Sequence, residues 1–401
     1  MPFALFADVS LAPKDPILGL TEAFVADTRS NKVNLGVGVY LNEEGKVPLL
    51  EAVRKAERER LEKAPPRAYL PIEGFADYNK AVLQLLFGAN PELVNQGRCA
   101  SFEALGGTGG LKIGADFIKR IKPDATVWIS DPSWENHRAL FEAAGFTVKS
   151  YAYYDASSHG VRFEAMLADI QQMNAGDVMV LHACCHNPTG VDLTPEQWRE
   201  VVARIANRQL VPFMDMAYQG FAEGISEDAV ALDILAASGQ SFFVSSSFSK
   251  SFSLYGERIG ALTVVTQDQA ETTRVVSQIK RVIRTNYSSP PTHGAAIVAA
   301  VLSTPALRQT WESELGQMRE RIREMRRGFV EGLKHLGVTR DFSFVIKQRG
   351  MFSFSGLSSA QVDRLREDFG IYAVSSGRIC LAALNKGNLP SVCEAVAKVL
   401  A

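Results

Sequence analysis

A chain of 401 residues with 46% hydrophobic content can bury a large core and is long enough for two or three domains. Its formal net charge of −1, with Lys and Arg spread along the chain, gives no electrostatic reason to expect a nucleic acid or an anionic membrane as partner. No apolar run approaches the length of a membrane span. The start, Met1-Pro-Phe-Ala-Leu-Phe-Ala-Asp8, lacks a basic leader and carries Asp8 where a signal peptide would still be apolar, so the expected compartment is the cytoplasm. Cys99, Cys184, Cys185, Cys380 and Cys393 are an odd number at no framework spacing, which fits reduced thiols.

In chain order, the first thirty residues are expected to form an irregular arm, because Pro2, Pro13 and Pro16 limit regular structure. Val33 to Leu41 is an extended apolar run. Gly36 and Gly38 remove side chains within it, either for close approach of a ligand or backbone or simply at a bulge. A charged helix over Leu50 to Lys63 ends at Pro65-Pro66, and the loop Arg67 to Gly74 precedes a helix over Ala76 to Phe87. From residue 100 to about 265, strands at Thr126 to Ser130, Val178 to Cys184, Leu210 to Asp215 and Phe242 to Ser246 alternate with helices near 110–121, 134–144, 194–207 and 229–238. This alternation predicts an α/β fold with a mainly parallel sheet flanked by helices, and places its ligand at the carboxyl ends of the strands.

Beyond residue 266 the pattern changes. Leu307, Trp311, Leu315, Met318, Ile322, Met325, Phe329 and Leu333 describe the apolar stripe of one long interdomain helix. At about 1.5 Å per residue it would run roughly 40 Å. Its charges Glu312, Glu314, Arg319, Arg323 and Arg326 are expected on a solvated face. Strands near 342–347, 351–355 and 377–382, with helices at 358–368 and 388–399, complete a smaller α+β domain. The expected division is an arm over 1–30, a segment 31–47 that joins the small domain, a large domain over 48–305 and a small domain over 306–401.

Several stretches could carry chemistry. In Ser245-Ser-Ser-Phe-Ser-Lys-Ser-Phe-Ser-Leu-Tyr-Gly-Glu-Arg-Ile-Gly260, Lys250 stands among hydroxyls with Arg258 eight residues on. A lysine attacks carbonyl carbon only when desolvation or nearby positive charge lowers its pKa, and Arg258, Ser247 and Ser249 could also form an anion cup. The same stretch could instead be a serine-rich loop with a solvated lysine. Gly106-Gly-Thr-Gly-Gly110 opens a helix, where free amides and the Thr108 hydroxyl make a phosphate cradle or a plain glycine turn. Asp215 ends a buried strand, where a protonated heterocycle would satisfy it; alternatively it caps a helix or pairs with an arginine. Tyr218 could aim its phenol into the same crevice or sit in the core. Asn187 is exposed by the turn Asn187-Pro188-Thr189-Gly190, while His182, on one strand face with Cys184, more plausibly orients a polar group than reacts. No metal is expected at Cys184-Cys185-His186, because neighbours on a strand diverge and no second ligand pair stands at zinc spacing. Arg258, Arg284, Arg349 and Arg378 are the forks available for carboxylates.

Taken together, these motifs resemble those of the pyridoxal-phosphate-dependent class I aminotransferases of fold type I, in particular the aspartate and aromatic-amino-acid aminotransferases. The resemblance runs from about Phe3 to Leu400 through Gly-Val-Gly-Val-Tyr40, Gly-Gly-Thr-Gly109, Ser-Trp-Glu-Asn-His137, Cys-Cys-His-Asn-Pro-Thr-Gly190, Asp-Met-Ala-Tyr-Gln-Gly-Phe221, Ser-Phe-Ser-Lys-Ser-Phe252, Tyr-Gly-Glu-Arg-Ile-Gly260, Asn-Tyr-Ser-Ser-Pro-Pro291 and Arg-Gly-Met-Phe-Ser353. It implies that Lys250 binds pyridoxal 5′-phosphate covalently and moves the proton at the substrate Cα. Asp215 would pair with the ring nitrogen, supported by His182, and Trp134 would stack on the ring. Asn187 and Tyr218 would hold the phenolate oxygen. Gly107, Thr108, Ser247, Ser249 and Arg258 would hold the phosphate, with Tyr69 entering from the other subunit of a homodimer. Gly38, Trp134 and Asn187 would border the substrate, Arg378 would clamp its α-carboxylate, and Arg284 of the other subunit would take a distal carboxylate.

Leu41, Val47 and Ala68 stand where aspartate-selective relatives tend to be polar or basic, and Ser289 replaces a larger amide. An apolar entrance lowers the cost of desolvating an aromatic side chain. The expected activity is therefore transfer of the amino group between tyrosine, phenylalanine or aspartate and 2-oxoglutarate. An aspartate aminotransferase with only weak aromatic activity is the alternative. A lyase or decarboxylase would have less use for two substrate arginines, and a non-catalytic module would have no need to keep both Lys250 and Asp215.

Overall fold

The computed structural model describes residues 5–12 and 17–401, so Pro2, Pro13 and Pro16 lie outside the described residues. Within the arm the chain is not irregular throughout, since Leu18–Ala26 is a helix. A seven-stranded sheet organises the larger part of the molecule, in the spatial order Cys99–Leu105, Ile259–Val265, Phe242–Ser247, Val211–Met216, Val178–His182, Thr126–Asp131, Thr147–Ala152. All neighbours pair in parallel except Ile259–Val265, which runs antiparallel to both of its partners. Residues alternate between two cores. Val178, Val180 and Phe213 pack on the side of helices Gly106–Ile121 and Glu135–Ala143, while Met179, Leu181 and Met214 pack on the other.

This alternation positions the site. Asp215 is two residues beyond Phe213 and His182 is two beyond Val180, so both side chains share the face of helix Glu135–Ala143. In the pairing register His182 stands opposite Asp215, and Asp215 opposite Ser245. The strand ends at His182 rather than at Cys184. Cys185 then takes a left-handed φ of 52°, and the Cys184 thiol turns to Met216 at 3.8 Å, in the core opposite to His182. The expected shared face is therefore absent.

The helix Pro305–His335 carries the predicted apolar stripe, every member of which is buried. Its charges are not simply solvated. Glu314 accepts the backbone N–H groups of Glu51 and Ala52 at the start of helix Glu51–Lys63, at 2.6 and 3.1 Å. Arg319 donates to the Gly220 carbonyl at 2.8 Å, Arg323 to that of Ala222 at 2.7 Å, and Arg326 is fully buried. The segment read as a strand over 342–347 is instead a helical turn, Phe344–Lys347. Asp341 captures the Ser343 N–H at 2.8 Å just before it, a local bond that outcompetes the β-propensity of Phe, Val and Ile. Short strands complete this region: Phe352–Phe354 pairs with Arg378–Cys380, and Val33–Asn34 pairs in parallel with Ile371–Tyr372.

Candidate active site

A cavity of about 260 Å³ opens at the carboxyl ends of the strands. Gly38, Gly107, Thr108, Trp134, His182, Asn187, Asp215, Tyr218, Ser247, Ser249, Lys250, Arg258 and Arg378 all line it, although they come from segments hundreds of residues apart. Tyr69 and Arg284 do not. Tyr69 is 97% exposed, and Arg284 points outward and donates to the Ser288 hydroxyl. Leu41, Val47, Ala68 and Ser289 are also absent from the lining.

One end of the cavity is an anion cup. Gly106 begins its helix at φ 69°, and a β-carbon there would strike the Arg258 guanidinium, so glycine is what lets the arginine close over the helix N-terminus. Arg258 itself sits at φ 53° and donates to the Tyr255 carbonyl at 3.0 Å and the Ser249 hydroxyl at 3.4 Å. Ser245 donates to the Gly107 carbonyl at 2.7 Å, tying the glycine turn to the strand that leads to Lys250.

In the middle stand Lys250, Tyr218 and Asp215. The lysine Nζ lies 4.6 Å from the centre of the Tyr218 ring. Burial pushes its pKa down to about 8; Asp215 opposes the shift and the positive charge of Arg258 assists it. Burial likewise pushes the Tyr218 phenol up, keeping it protonated as a donor. Burial alone would raise the Asp215 pKa, but the hydrogen bond and charge of His137, with the charge of Lys250, hold it below the ordinary carboxylate value. The bond runs from His137 Nε2 to Asp215 Oδ2 at 2.9 Å, and Ser133 Oγ holds the other ring nitrogen at 2.9 Å. The partner of Asp215 is thus His137 and not His182. His182 Nε2 has no hydrogen-bond partner, and burial pushes the His182 pKa down to about 3, so its ring stays neutral. His137 lies three residues after Trp134, in the motif Ser-Trp-Glu-Asn-His, and one helical turn brings it round to the strand face.

At the other end Arg378 is 1% exposed. It donates to Asn187 Oδ1 at 3.2 Å and the Gly36 carbonyl at 2.7 Å, its guanidinium covers the Phe352 ring at 4.3 Å, and its Nε is unpartnered. Glu135 comes no nearer than 3.9 Å. Gly38 is needed for contact: a β-carbon there would lie 2.6 Å from the Phe352 ring. Phe352 and Tyr255, whose hydroxyl accepts the Tyr40 N–H at 2.9 Å, also line the cavity without having been singled out in the sequence. Asp192 is a further omission. It binds the N–H groups of Cys185 and His186 at 2.7 and 2.8 Å and so fixes the turn that presents Asn187, while burial raises its pKa to about 6.

The order is an anion cup, an amine of lowered pKa, a buried carboxylate and a second fork. The glycine cradle, the unpartnered His182 nitrogen and the free edge of Arg378 all suit pyridoxal phosphate carrying an amino acid. A lysine opposed to a buried aspartate between two anion sites defines a pyridoxal-phosphate enzyme of the transaminase type. The comparisons with known proteins agree. The family model for aminotransferase class I and II matches residues 30–396. An aspartate aminotransferase of Pseudomonas aeruginosa is 62% identical over 397 residues, covering 99% of this chain and 100% of the relative. An aromatic-amino-acid aminotransferase of Escherichia coli is 50% identical over 398 residues, covering 99% and 100%. A crystal structure of the aromatic-amino-acid aminotransferase of Burkholderia pseudomallei, covalently bound to pyridoxal phosphate, superposes with a TM-score of 0.97 at 63% identity, with 100% of each chain covered. The chain belongs to the class I and II aminotransferases.

Proposed function

We propose that the chain is a pyridoxal-phosphate-dependent transaminase that moves the amino group between tyrosine, phenylalanine or aspartate and 2-oxoglutarate in two alternating half-reactions. The observation that carries the reading is the placement of Lys250 near Asp215 in one cavity lined also by Arg258 and Arg378. Relatives named for aspartate and for aromatic amino acids support both substrate classes.

The cofactor supplies an electrophilic carbon and an electron sink. The protein's own groups do the rest. Lys250, with a pKa near 8, has free amine available near neutral pH and can take and return the proton at the substrate Cα. Asp215, kept anionic by His137, would hold the ring nitrogen in its protonated form. Tyr218 and Asn187 would donate to the phenolate oxygen. Gly107, Thr108, Ser247, Ser249 and Arg258 would hold the phosphate, with Trp134 against the ring. Arg378 would take the α-carboxylate, for which its unpartnered Nε is available.

Tyr69 and Arg284 fit a homodimer in which each would complete the site of the partner subunit, and the exposed Leu5, Phe6, Val9 and Leu11 of the arm offer apolar surface for the second copy. The large and small domains are proposed to divide near residue 305, with 31–47 joining the small one. Among the described residues no helix is long and apolar enough to cross a membrane. The free cysteines Cys99, Cys184, Cys185, Cys380 and Cys393 fit the cytoplasm. Comparison of kcat/KM for tyrosine, phenylalanine and aspartate with 2-oxoglutarate tests the reading. Efficient use of all three is expected; turnover of aspartate alone would overturn the aromatic assignment.

A further inference from the structure

Arg326 lies about two thirds of the way along the helix Pro305–His335 and is 2% exposed. Its Nη1 donates to the Val345 carbonyl at 2.9 Å and the Ser353 hydroxyl at 3.1 Å, and its Nη2 to the carbonyls of Gly350 and Phe352 at 2.8 and 2.6 Å. Among the described residues no carboxylate pairs with it. Burial accordingly pushes its pKa down to about 10, still high enough to keep the charge. A buried cation with neutral partners is a costly way to fill a core, since an apolar side chain of similar volume would pack there more cheaply. Its distinctive property is the planar fork, which can hold several oxygens at once in a fixed geometry.

What the fork holds is the wall behind the substrate. Phe352 is gripped by its carbonyl, and its ring supports the Arg378 guanidinium at 4.3 Å, touches Gly38 and meets Tyr218 edge-on at 6.0 Å. The same segment is anchored to the turn after Asn187 by the bond from Arg349 N–H to the Gly190 carbonyl, at 2.6 Å. Arg378 has two direct hydrogen-bond partners, Asn187 and Gly36, and its one carboxylate neighbour, Glu135, stays 3.9 Å away, so the Phe352 ring has a large part in setting the plane of its fork.

We propose that Arg326 is a positioning residue for substrate carboxylate recognition. It fixes the backbone of Phe352 and, through that ring, the direction in which Arg378 faces the substrate. The inference rests on Arg378 being the α-carboxylate clamp.

The test uses the holoenzymes of Arg326→Lys, Arg326→Met and Arg378→Lys, each compared with wild type on phenylalanine and on phenethylamine, the same molecule without its carboxylate. Single-turnover reactions are followed in the visible cofactor band. For both Arg326 variants kcat/KM for phenylalanine is expected to fall about 10- to 100-fold, mostly through KM, while the slow reaction of phenethylamine changes less than about threefold. Lysine should be the milder variant, because one ammonium retains the charge but cannot span four oxygens. The pH midpoint of the visible band should stay in place, since the Lys250 and Asp215 side is untouched. If Arg326→Met does not fold, Arg326→Lys decides. Equal losses on the two substrates, or a lowered Tm with an unchanged phenylalanine to phenethylamine ratio, would reduce Arg326 to a structural residue. Should Arg378→Lys also leave that ratio unchanged, the clamp reading itself fails; should Arg378→Lys collapse the ratio and the Arg326 variants not, only the positioning role fails.

Discussion

Arg258 and Arg378 face one cavity from opposite ends, and they are held by different kinds of structure. Arg258 bonds to Ser249 and Tyr255, within nine residues of itself, and the glycine turn it covers is one neighbouring strand away. Arg378 depends on Asn187, Gly36 and Phe352, and behind Phe352 on Arg326. The cofactor end is therefore built from strand ends and local turns, whose positions follow from the sheet. The substrate end is a composite of four segments distant in sequence, of which the one bearing Phe352 pairs with the strand of Arg378 and is also held by Arg326. Substitutions at the first should change the chemistry of the bound cofactor, whereas substitutions at the second should change which molecule is accepted.

The largest effect is expected at the cofactor end. Lys250→Ala should abolish transamination, by at least about 10⁴-fold in kcat, because nucleophile and proton carrier are lost together. Near-normal turnover in the variant would end the assignment. The wild-type apo protein offers a complementary measurement. Because the folded pKa is lowered from 10.5 to about 8, reaction of Lys250 with a simple aldehyde should rise with pH and level off above about 8. Levelling off only near 10.5 would show that the lysine is solvated.

Next comes Arg378→Leu. It should reduce kcat/KM for every amino acid by about 10²- to 10³-fold, since it also strands the buried Asn187 and Gly36 oxygens, and should leave the visible spectrum nearly unchanged. A shifted spectrum with intact KM values would erase the distinction between the two ends.

His137→Phe probes the cofactor end more finely. Losing the hydrogen bond to Asp215 Oδ2 lets burial raise the carboxyl pKa. The group's folded pKa is depressed in the wild type, so its anionic form is lost only when pH falls through that low value; in the variant this loss begins at higher pH. Activity should drop about 10- to 100-fold, and more steeply toward acid, with no change in preference for carboxylate-bearing substrates. A pH profile parallel to that of the wild type would assign the hold on Asp215 to another group.

The uneven legibility of the sequence has the same origin as this division. Lys250, Asp215, Tyr218 and the glycine turn were readable because strand–helix alternation puts such residues at carboxyl ends, where an odd lysine or aspartate stands out. His137 is hidden within its motif, because its role depends on which face of a strand one helical turn meets. Arg326 is buried rather than on the expected solvated face, and the periodicity conceals this for a stronger reason. It sits beside an apolar stripe in a helix full of charges, and nothing in that periodicity shows that its partners are backbone oxygens of a loop some twenty residues away. Tyr69 is named only through family resemblance, Arg284 is one fork among four until that resemblance is drawn, and a single chain leaves both outside the cavity.

Gly38→Ala is the smallest change and the closest test of the substrate end. The added β-carbon would lie 2.6 Å from Phe352 Cζ, so either the ring or the Gly36–Gly38 segment must shift by about an ångström to restore ordinary contact. Either movement reaches Arg378, through the ring stacked on its guanidinium or through the Gly36 carbonyl it binds. KM for phenylalanine and aspartate should rise about three- to tenfold, with kcat and the pH midpoint of the visible band little affected. A methyl group cannot remove charge or a hydrogen bond, so such a loss would come from geometry alone. Unchanged KM values would mean that Arg378 keeps its direction without the ring, and that the substrate end is as locally determined as the cofactor end.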